Sequence, residues 1–257
     1  MNRKFLMLCL CILPMQGFGA YDLTELKNRT NAELRTFTEI TSMASNFKGL
    51  APASPLGIWG FNAGVELTTL PHLALQVTDE DIELPKAFPR ISVAKGLTPN
   101  FDIALSGMTA KIFPSELELP QELSNLFVYG GGLKYTVLRE GIFPVSVGVR
   151  ATYNRLKLPF FKSDTYGADV SLSRSLFLFP KVSVTPFAGV GYVSIHGEFN
   201  PSELSKYLQV SSKQAISDYR YFSGVSFNLF FLNMTGQFDF GNPKEANTIS
   251  IKAGLQF

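Results

Sequence analysis

The chain is poor in the residues that most often build metal and redox sites. It has two cysteines and two histidines in 257 residues, and both cysteines, Cys9 and Cys11, lie in an apolar run near the N-terminus. If that run is removed, the mature chain has no thiol, no disulfide and no cysteine-based metal site. We therefore expect neither a metal nor any other cofactor.

The N-terminus has the order of a secretory signal peptide. Arg3 and Lys4 precede an apolar run from Phe5 to Met15, and the small residues Gly17 and Gly19 follow it. Small residues are needed at the last and third-last positions before a cleavage point, so we predict a signal peptide over residues 1–19. The run is too short to span the ~30 Å of bilayer hydrocarbon as a helix, which argues against an uncleaved anchor.

An excess of basic residues is also missing. Removing Arg3 and Lys4 lowers the 23 lysines and arginines to 21, which equals the 21 aspartates and glutamates. Proteins that bind nucleic acid through its phosphates need a basic excess, so we expect no nucleic-acid partner. No later stretch reaches the roughly 18 apolar residues of a transmembrane helix, which leaves a secreted soluble domain and a transmembrane barrel as alternatives.

Residues 20–55 differ from the rest of the chain. Over 22–48, apolar residues fall near helical spacing between charged ones, which predicts one amphipathic helix ending before Lys48. A proline-rich linker at 51–55 then breaks the helix. The helix either plugs a barrel lumen or lies in the periplasm, and its apolar stripe fits poorly in a charged lumen. We slightly favour the periplasmic mouth, although Phe187, Val193 and Ile195 give one inner stretch an apolar character that would suit a hydrophobic ligand.

From Leu56 to Phe257 the apolar residues recur with a period of two. The pattern is clearest at the end, where Ile249, Ile251, Leu255 and Phe257 alternate with polar or small residues. Such alternation is typical of strands with one apolar and one polar face. It predicts ten strands, at 56–70, 89–97, 100–112, 125–138, 143–157, 164–177, 181–197, 217–230, 232–240 and 247–257.

The connections between these strands alternate between long and short. Long connections follow the odd strands and short ones follow the even strands, as in outer-membrane barrels with short periplasmic turns and longer external loops. We therefore predict an all-β, antiparallel, up-and-down transmembrane barrel over residues 56–257, with about ten strands (8–12). This architecture places the protein in the outer membrane of a Gram-negative bacterium.

The closing segment Thr248-Ile-Ser-Ile-Lys-Ala-Gly-Leu-Gln-Phe257 resembles the terminal assembly signal of the Gram-negative outer-membrane β-barrel superfamily. The resemblance implies that the barrel-assembly machinery recognises Ile249, Ile251, Leu255 and Phe257. The helix before the barrel is similar to the lumen plug of FadL-type fatty-acid channels, but the chain lacks that family's Asn-Pro-Ala-Gly type sequence. Outer-membrane lipid and lipopolysaccharide are the further partners that this location implies.

Eight charged residues fall on the inward face of the predicted strands, four acids and four bases. They are Glu66, Asp102, Asp169, Asp239, Lys134, Arg150, Arg220 and Lys252. A barrel of about ten strands is little larger than the eight-stranded barrels that side chains fill, so these charges are expected to close the interior. The alternative is a narrow conduit for small polar or hydrophobic solutes, with the charges as its constriction.

The functional expectation is accordingly a non-enzymatic barrel, either a narrow channel or a closed structural or interaction barrel. A rim hydrolase of protease or lipase type is the alternative. The predicted topology places Asp164 beside His196 near the external rim, where an aspartate–histidine pair could activate water. A rim histidine is more often a solvated polar residue.

Overall fold

The computed structural model describes residues 35–36, 38–69, 87–109, 127–158, 161–199, 213–240 and 247–257. One helix, α1, covers residues 35–36 and 38–45. Among the described residues, no helix combines the length and the apolar character needed to cross a bilayer.

The described residues after the helix form eleven strands. They are β1 (Phe61–Thr69), β2 (Ala87–Gly96), β3 (Phe101–Thr109), β4 (Phe127–Leu138), β5 (Ser146–Lys157), β6 (Phe161–Ser173), β7 (Leu176–Phe179), β8 (Val182–Phe199), β9 (Lys213–Leu229), β10 (Leu232–Phe240) and β11 (Thr248–Gln256).

The strands form one closed antiparallel ring. Each strand from β1 to β5 pairs with the next, β6 pairs with β8, β8 to β11 continue in order, and β11 pairs with β1. The four-residue strand β7 pairs only with the start of β8 and prolongs the line of β6. The ring therefore has ten strands, and the predicted antiparallel barrel with a preceding helix is confirmed.

Some strand ends differ from the prediction. The first strand begins at Phe61 rather than 56, because Gly60 N bonds to Gly57 O and Leu56 N is held by Asp102. The ninth strand begins at Lys213 rather than 217 and continues the pairing with β8 as far as Glu198. The two longest strands are β8 and β9, and β9 extends beyond Tyr221, which pairs with Phe240 at the end of β10.

The inward and outward faces have opposite character. In β11, Ile249, Ile251 and Leu255 point outward and are 39%, 51% and 41% exposed, whereas Ser250 and Lys252 point inward and are buried. The same inversion recurs around the ring, where most exposed large side chains are apolar and most buried ones are polar. An apolar outer surface and a polar interior are what a barrel in lipid requires, and the opposite of a soluble β-sandwich.

The two ends of the ring are distinguished by their connections. At one end, which we call the turn end, the strands are joined by residues 97–100, 139–145, 180–181 and 230–231. The other end, the loop end, carries the connections that follow Thr69, Thr109, Lys157, Phe199 and Phe240. Both β1 and β11 meet at the turn end, where Phe61 N donates to Phe257 O.

Candidate functional site: the occupied lumen

Residues 38–56, which we call the lumen segment, run through the inside of the ring. Near the loop end, Ser42 Oγ lies 2.6 Å from Ser163 Oγ of β6. At the turn end, Leu56 N donates to both carboxylate oxygens of Asp102, at 3.1 and 3.2 Å. The segment therefore descends from the loop end to the turn end, and the periplasmic position that the sequence slightly favoured is wrong for the described part of the helix.

An apolar upper lumen accommodates the apolar face of α1. Met43 packs in a buried cluster with Val193 and Ile195 of β8 and Ile216 of β9. Ile40 is also buried, at 2% exposure. The conflict between an apolar helix face and a charged lumen is thereby avoided, because this face packs against the apolar part of the wall formed by Val193, Ile195 and Ile216. Val193 and Ile195, two residues of the apolar inner stretch noted in the sequence, thus contact the protein's own Met43.

Glycines of β4 make room for the largest side chain of the segment. Phe47 is 1% exposed. A Cβ atom placed on Gly132 would lie 2.9 Å from Phe47 Cε1, and one on Gly130 would lie 2.9 Å from Phe47 Cβ. Side chains on this face of β4 would occupy the space of the Phe47 phenyl group, so the glycines permit the close approach of the segment to the wall.

The C-terminal end of α1 is held by a single arginine of the wall. Arg90 of β2 donates from Nη1 to Asn46 O at 2.9 Å and from Nη2 to Ser45 O at 2.7 Å. The last carbonyls of a helix lack intrahelical partners and form the negative end of its dipole. A guanidinium supplies both the missing hydrogen-bond donors and a compensating positive charge. Arg90 is 4% exposed.

The extended part of the segment is held through its backbone in the same way. Lys134 Nζ donates to Pro52 O at 2.9 Å and to Ser54 O at 2.7 Å. Between these two, Thr136 Oγ1 donates to Ala53 O at 2.8 Å.

Arg150 completes the set, since its Nη1 bonds to Gly49 O. Three cations of the wall thus bind five carbonyl groups of the lumen segment, and each of these five acceptors gains a charged donor in place of water.

Ion pairs link charged residues of the wall to one another and to the lumen segment. Their N–O distances are 3.1 Å for Lys134–Asp102, 3.0 Å for Arg150–Asp169, 3.6 Å for Arg220–Asp169, 3.5 Å for Arg220–Asp239 and 2.9 Å for Lys48–Asp239. All eight charged residues selected from the sequence are buried. Six of them join this network, and Glu66 lies across the strand pairs from both Lys252 and Arg90. Their proposed role as a constriction stays a prediction.

Sequence reasoning missed two of the cations that hold the segment. In the sequence, Lys48 marks only the end of the predicted helix, yet its ammonium group pairs with Asp239 and also contacts Thr248. The other is Arg90, which lies with Phe88 and Ser92 on the buried face of β2. The period-two pattern would have placed Arg90 inside the ring.

A cavity of about 280 Å³ remains in the turn-end half of the lumen. The lumen segment forms one side of it, and amides and hydroxyls of the opposite wall form the other, among them Asn228, Asn233, Ser226 and Gln256. Asn233 Nδ2 donates to Asn228 Oδ1 at 2.7 Å and to Ser226 Oγ at 2.9 Å, so these wall groups bond to one another. Polar groups form part of the cavity wall, and the cavity is large enough for several waters.

Asp164 and His196 are neighbours in the ladder but do not form a pair. They face each other across β6 and β8. The Asp164 carboxylate, however, accepts hydrogen bonds from Arg155 Nε at 2.6 Å, Arg155 Nη2 at 2.9 Å and Tyr153 Oη at 2.7 Å. Both residues alternate with buried positions and so project from the outer face, away from the lumen. The expected proximity is present, but the carboxylate is already engaged by Arg155.

No protein-family model matches the chain, and no curated protein matches it. Solved structures that are similar to it include Ail, the attachment invasion locus protein of Yersinia pestis, with 9% identity and a TM-score of 0.31 over 77% of this chain and 97% of that chain. LpxR from Salmonella typhimurium has 10% identity and a TM-score of 0.37 over 76% and 99%. The translocator domain of the autotransporter NalP from Neisseria meningitidis has 8% identity and a TM-score of 0.35 over 91% and 97%.

Proposed function

We propose that the protein is a non-enzymatic barrel of the Gram-negative outer membrane whose lumen is closed by its own N-terminal segment. The observation that carries this proposal is the path of residues 38–56 from the loop end to the turn end, held by Arg90, Lys134 and Arg150. It acts as a closed structural or interaction barrel, and not as a constantly open pore.

The outer surface supports the membrane location. Its exposed side chains are largely apolar, and an apolar surface of this extent has no stable place in water. Residues of the last strand, Ile249, Ile251 and Leu255, belong to this surface, which is consistent with the proposed recognition by the barrel-assembly machinery. The short turns then lie in the periplasm and the loop end outside the cell.

The chemistry of the lumen supports closure. A ten-stranded ring leaves slightly more interior space than the eight-stranded barrels that side chains fill, and here a second stretch of backbone takes up that space. The wall cations bind carbonyls of the segment or neighbouring carboxylates. Charges neutralised in this way cannot also bind a passing ion, because each would first have to give up a buried partner.

The hydrolase alternative lacks a comparable observation. A general base must be available to accept a proton, and Asp164 is bonded to Arg155 and Tyr153 instead of to His196. Replacing His196 with alanine is therefore expected to leave peptide and lipid hydrolysis unchanged from the wild type. A loss of hydrolysis in that variant would favour the enzyme.

Planar-bilayer recording of the purified full chain tests the proposal directly. Wild-type protein is expected to show no steady current at any applied voltage, because the lumen segment blocks the path. A steady current that rises in proportion to voltage would overturn the proposal.

A cross-link tests whether the segment is what closes the lumen. Ser42→Cys and Ser163→Cys, combined in one chain, are expected to form a disulfide in the folded protein, because their hydroxyl oxygens are 2.6 Å apart. The matched control is Ser42→Cys with Ser250→Cys, since Ser250 lies on β11 and bonds to Thr68 of β1. Cross-linking in both pairs or in neither would contradict the described position of the segment.

A further inference from the structure

The loop end of four adjacent strands carries an unusual set of outward-facing charges. These residues, which we call the outer basic patch, are Arg155 and Lys157 of β5, Lys162 and Asp164 of β6, Glu198 of β8 and Lys213 of β9. In the other described strands, the charged outward residue is Lys95, at the turn end, where its Nζ bonds to Ile58 O and Gly60 O. The charge is therefore concentrated on one side and at one end of the ring.

The patch has more bases than acids, and its acids are engaged within it. Arg155 holds Asp164 through two hydrogen bonds, of 2.6 and 2.9 Å. Lys162 Nζ lies 3.0 Å from a Glu198 carboxylate oxygen, with both side chains nearly half exposed. Lys157 is exposed beside Lys162 across the β5–β6 pair. Four bases against two acids leave a net positive surface that attracts anionic groups.

An apolar groove lies on the same outer face, toward the middle of the barrel. Its volume is about 540 Å³. Ala151 and Ala168, which are directly opposed in the β5–β6 ladder, form its floor. The larger side chains of Leu133 on one side and Tyr192 on the other form its walls. A pair of small residues among large ones thus leaves a channel on a surface that faces lipid.

The patch and the groove are continuous along the strands. Arg155 and Ala151 lie on the same face of β5, four residues or about 13 Å apart along the strand. Tyr153 and Tyr166 stand between them with ring centroids 5.2 Å apart. A ligand that reaches from one feature to the other needs an anionic head, a middle part able to contact tyrosines, and an apolar tail.

We infer that this face binds a phosphorylated glycolipid of the outer leaflet, the lipid A part of lipopolysaccharide. Its phosphates would contact Arg155, Lys157 and Lys162, and one acyl chain would lie in the groove over Ala151 and Ala168. The inference rests on the proposed function, because it requires the loop end to lie in the outer leaflet. Arginine and lysine are the side chains that bind phosphate most strongly. A preformed groove also lowers the entropic cost of binding an acyl chain, because the protein does not have to become ordered around it.

Other occupants make different demands on the two features. Free phosphate would use the patch and ignore the groove. A second copy of this chain would have to bring an acidic surface, and the outward charges of the described strands include only the two acids already engaged in the patch. Lipid A satisfies both features at once.

Native mass spectrometry of the full chain in neutral detergent tests the inference with lipid A itself as the probe. The wild type is expected to retain one lipid A molecule, and to bind lipid A stripped of its phosphates about 100-fold more weakly, since each of the three basic residues near an anionic lipid contributes ~1 kcal/mol and ~1.4 kcal/mol corresponds to a factor of ten. Inorganic phosphate at the same concentration is expected not to compete. Failure of the wild type to retain lipid A, or equal binding of the phosphate-free form, would overturn the inference.

Variants separate the patch from the groove. Lys157→Gln with Lys162→Gln should weaken lipid A binding about 30-fold by the same estimate, with Lys95→Gln on the same outer surface as the control. Ala168→Phe fills the groove and should also weaken binding, whereas Ala253→Phe, outward on β11, should not. Binding unchanged by both patch and groove variants would overturn the inference. So would a dimer of the wild type that Ala168→Phe abolishes, because the face would then belong to a second copy.

The folded state of each variant is checked by its heat-modifiable mobility in gels. A barrel that folds in detergent and carries no current, yet ignores lipid A, would refute this inference and leave the proposed function standing. A conducting wild type that retains lipid A would refute the proposed function and leave this inference standing.

Discussion

The ammonium group of Lys48 lies 2.9 Å from a carboxylate oxygen of Asp239, and their side chains are 3% and 2% exposed. One residue belongs to the lumen segment and the other to β10 of the wall. Asp239 also accepts a hydrogen bond from Gln237 and lies 3.5 Å from Arg220 Nε. The pair therefore joins the N-terminal segment to the charge network of the wall.

Breaking this pair from its two sides should have unequal effects. Asp239→Asn leaves the Lys48 ammonium buried without its counter-charge, and we expect the free energy of unfolding to fall by about 3–5 kcal/mol. Lys48→Met should cost less, because Asp239 keeps Arg220 and Gln237 as partners. Urea titration of the refolded barrel measures both. Equal losses of unfolding free energy, or a larger loss for Lys48→Met, would show that Arg220 and Gln237 do not compensate Asp239 for the loss of Lys48.

Arg90 is expected to control how tightly the helix end is held. Arg90→Gln removes two hydrogen bonds from a charged donor to Ser45 O and Asn46 O, each contributing about 1.5–3 kcal/mol. We expect brief openings to appear in single-channel recordings of this variant, where the wild type is silent. Lys95→Gln, an outward-facing change on the same strand, is the control and should stay silent. Identical traces for both variants would mean that other contacts alone keep the segment in place.

Phe47 and Gly132 are expected to show coupled effects on stability. Phe47→Ala empties a buried site and should cost about 3–5 kcal/mol. Gly132→Ala places a Cβ 2.9 Å from Phe47 Cε1 and should cost about 1–3 kcal/mol through overpacking.

In the double variant the added methyl group meets no ring, so the total loss should fall short of the sum. The coupling is expected to be about 0.5–3 kcal/mol, as for residues in contact, and the same urea titration measures it. Strict additivity would place the two side chains out of contact.

The barrel could be predicted because its signal is local. Each strand can be recognised from the alternation of apolar and polar residues within a few positions. The same alternation places the charges of Asp102, Lys134, Arg150 and Asp169 on the inward face. Arg155 falls on the outward face with Tyr153 and Ala151 by that count. Arg155 and Asp164 are directly opposed in the β5–β6 pair, so their ion pair could be predicted from the sequence once the register of these strands is known.

The path of the lumen segment could not be predicted in the same way. The wall cations bind carbonyls of Gly49, Pro52 and Ser54, and backbone acceptors leave no mark in the sequence. The pair of Lys48 with Asp239 spans most of the chain and depends on ring closure. The signal peptide over residues 1–19 and the cut after Gly19 stay predictions.

The direction of the lumen segment predicts from which side of the membrane the start of its helix can be reached. A Cβ on Gly197, near the loop end of β8, would lie 2.5 Å from Thr38 Cγ2, and Arg35 precedes Thr38 by about one turn of helix. Arg35 is exposed, so Arg35→Cys should react with a membrane-impermeant maleimide added to intact cells. Ile142→Cys, 81% exposed in a turn at the opposite end, should react only after the outer membrane is permeabilised. The wild type should not react in either state if Cys9 and Cys11 leave with the signal peptide. Labelling of Ile142→Cys but not Arg35→Cys in intact cells would reverse the orientation of the barrel and remove the basis for a lipid A site at the loop end.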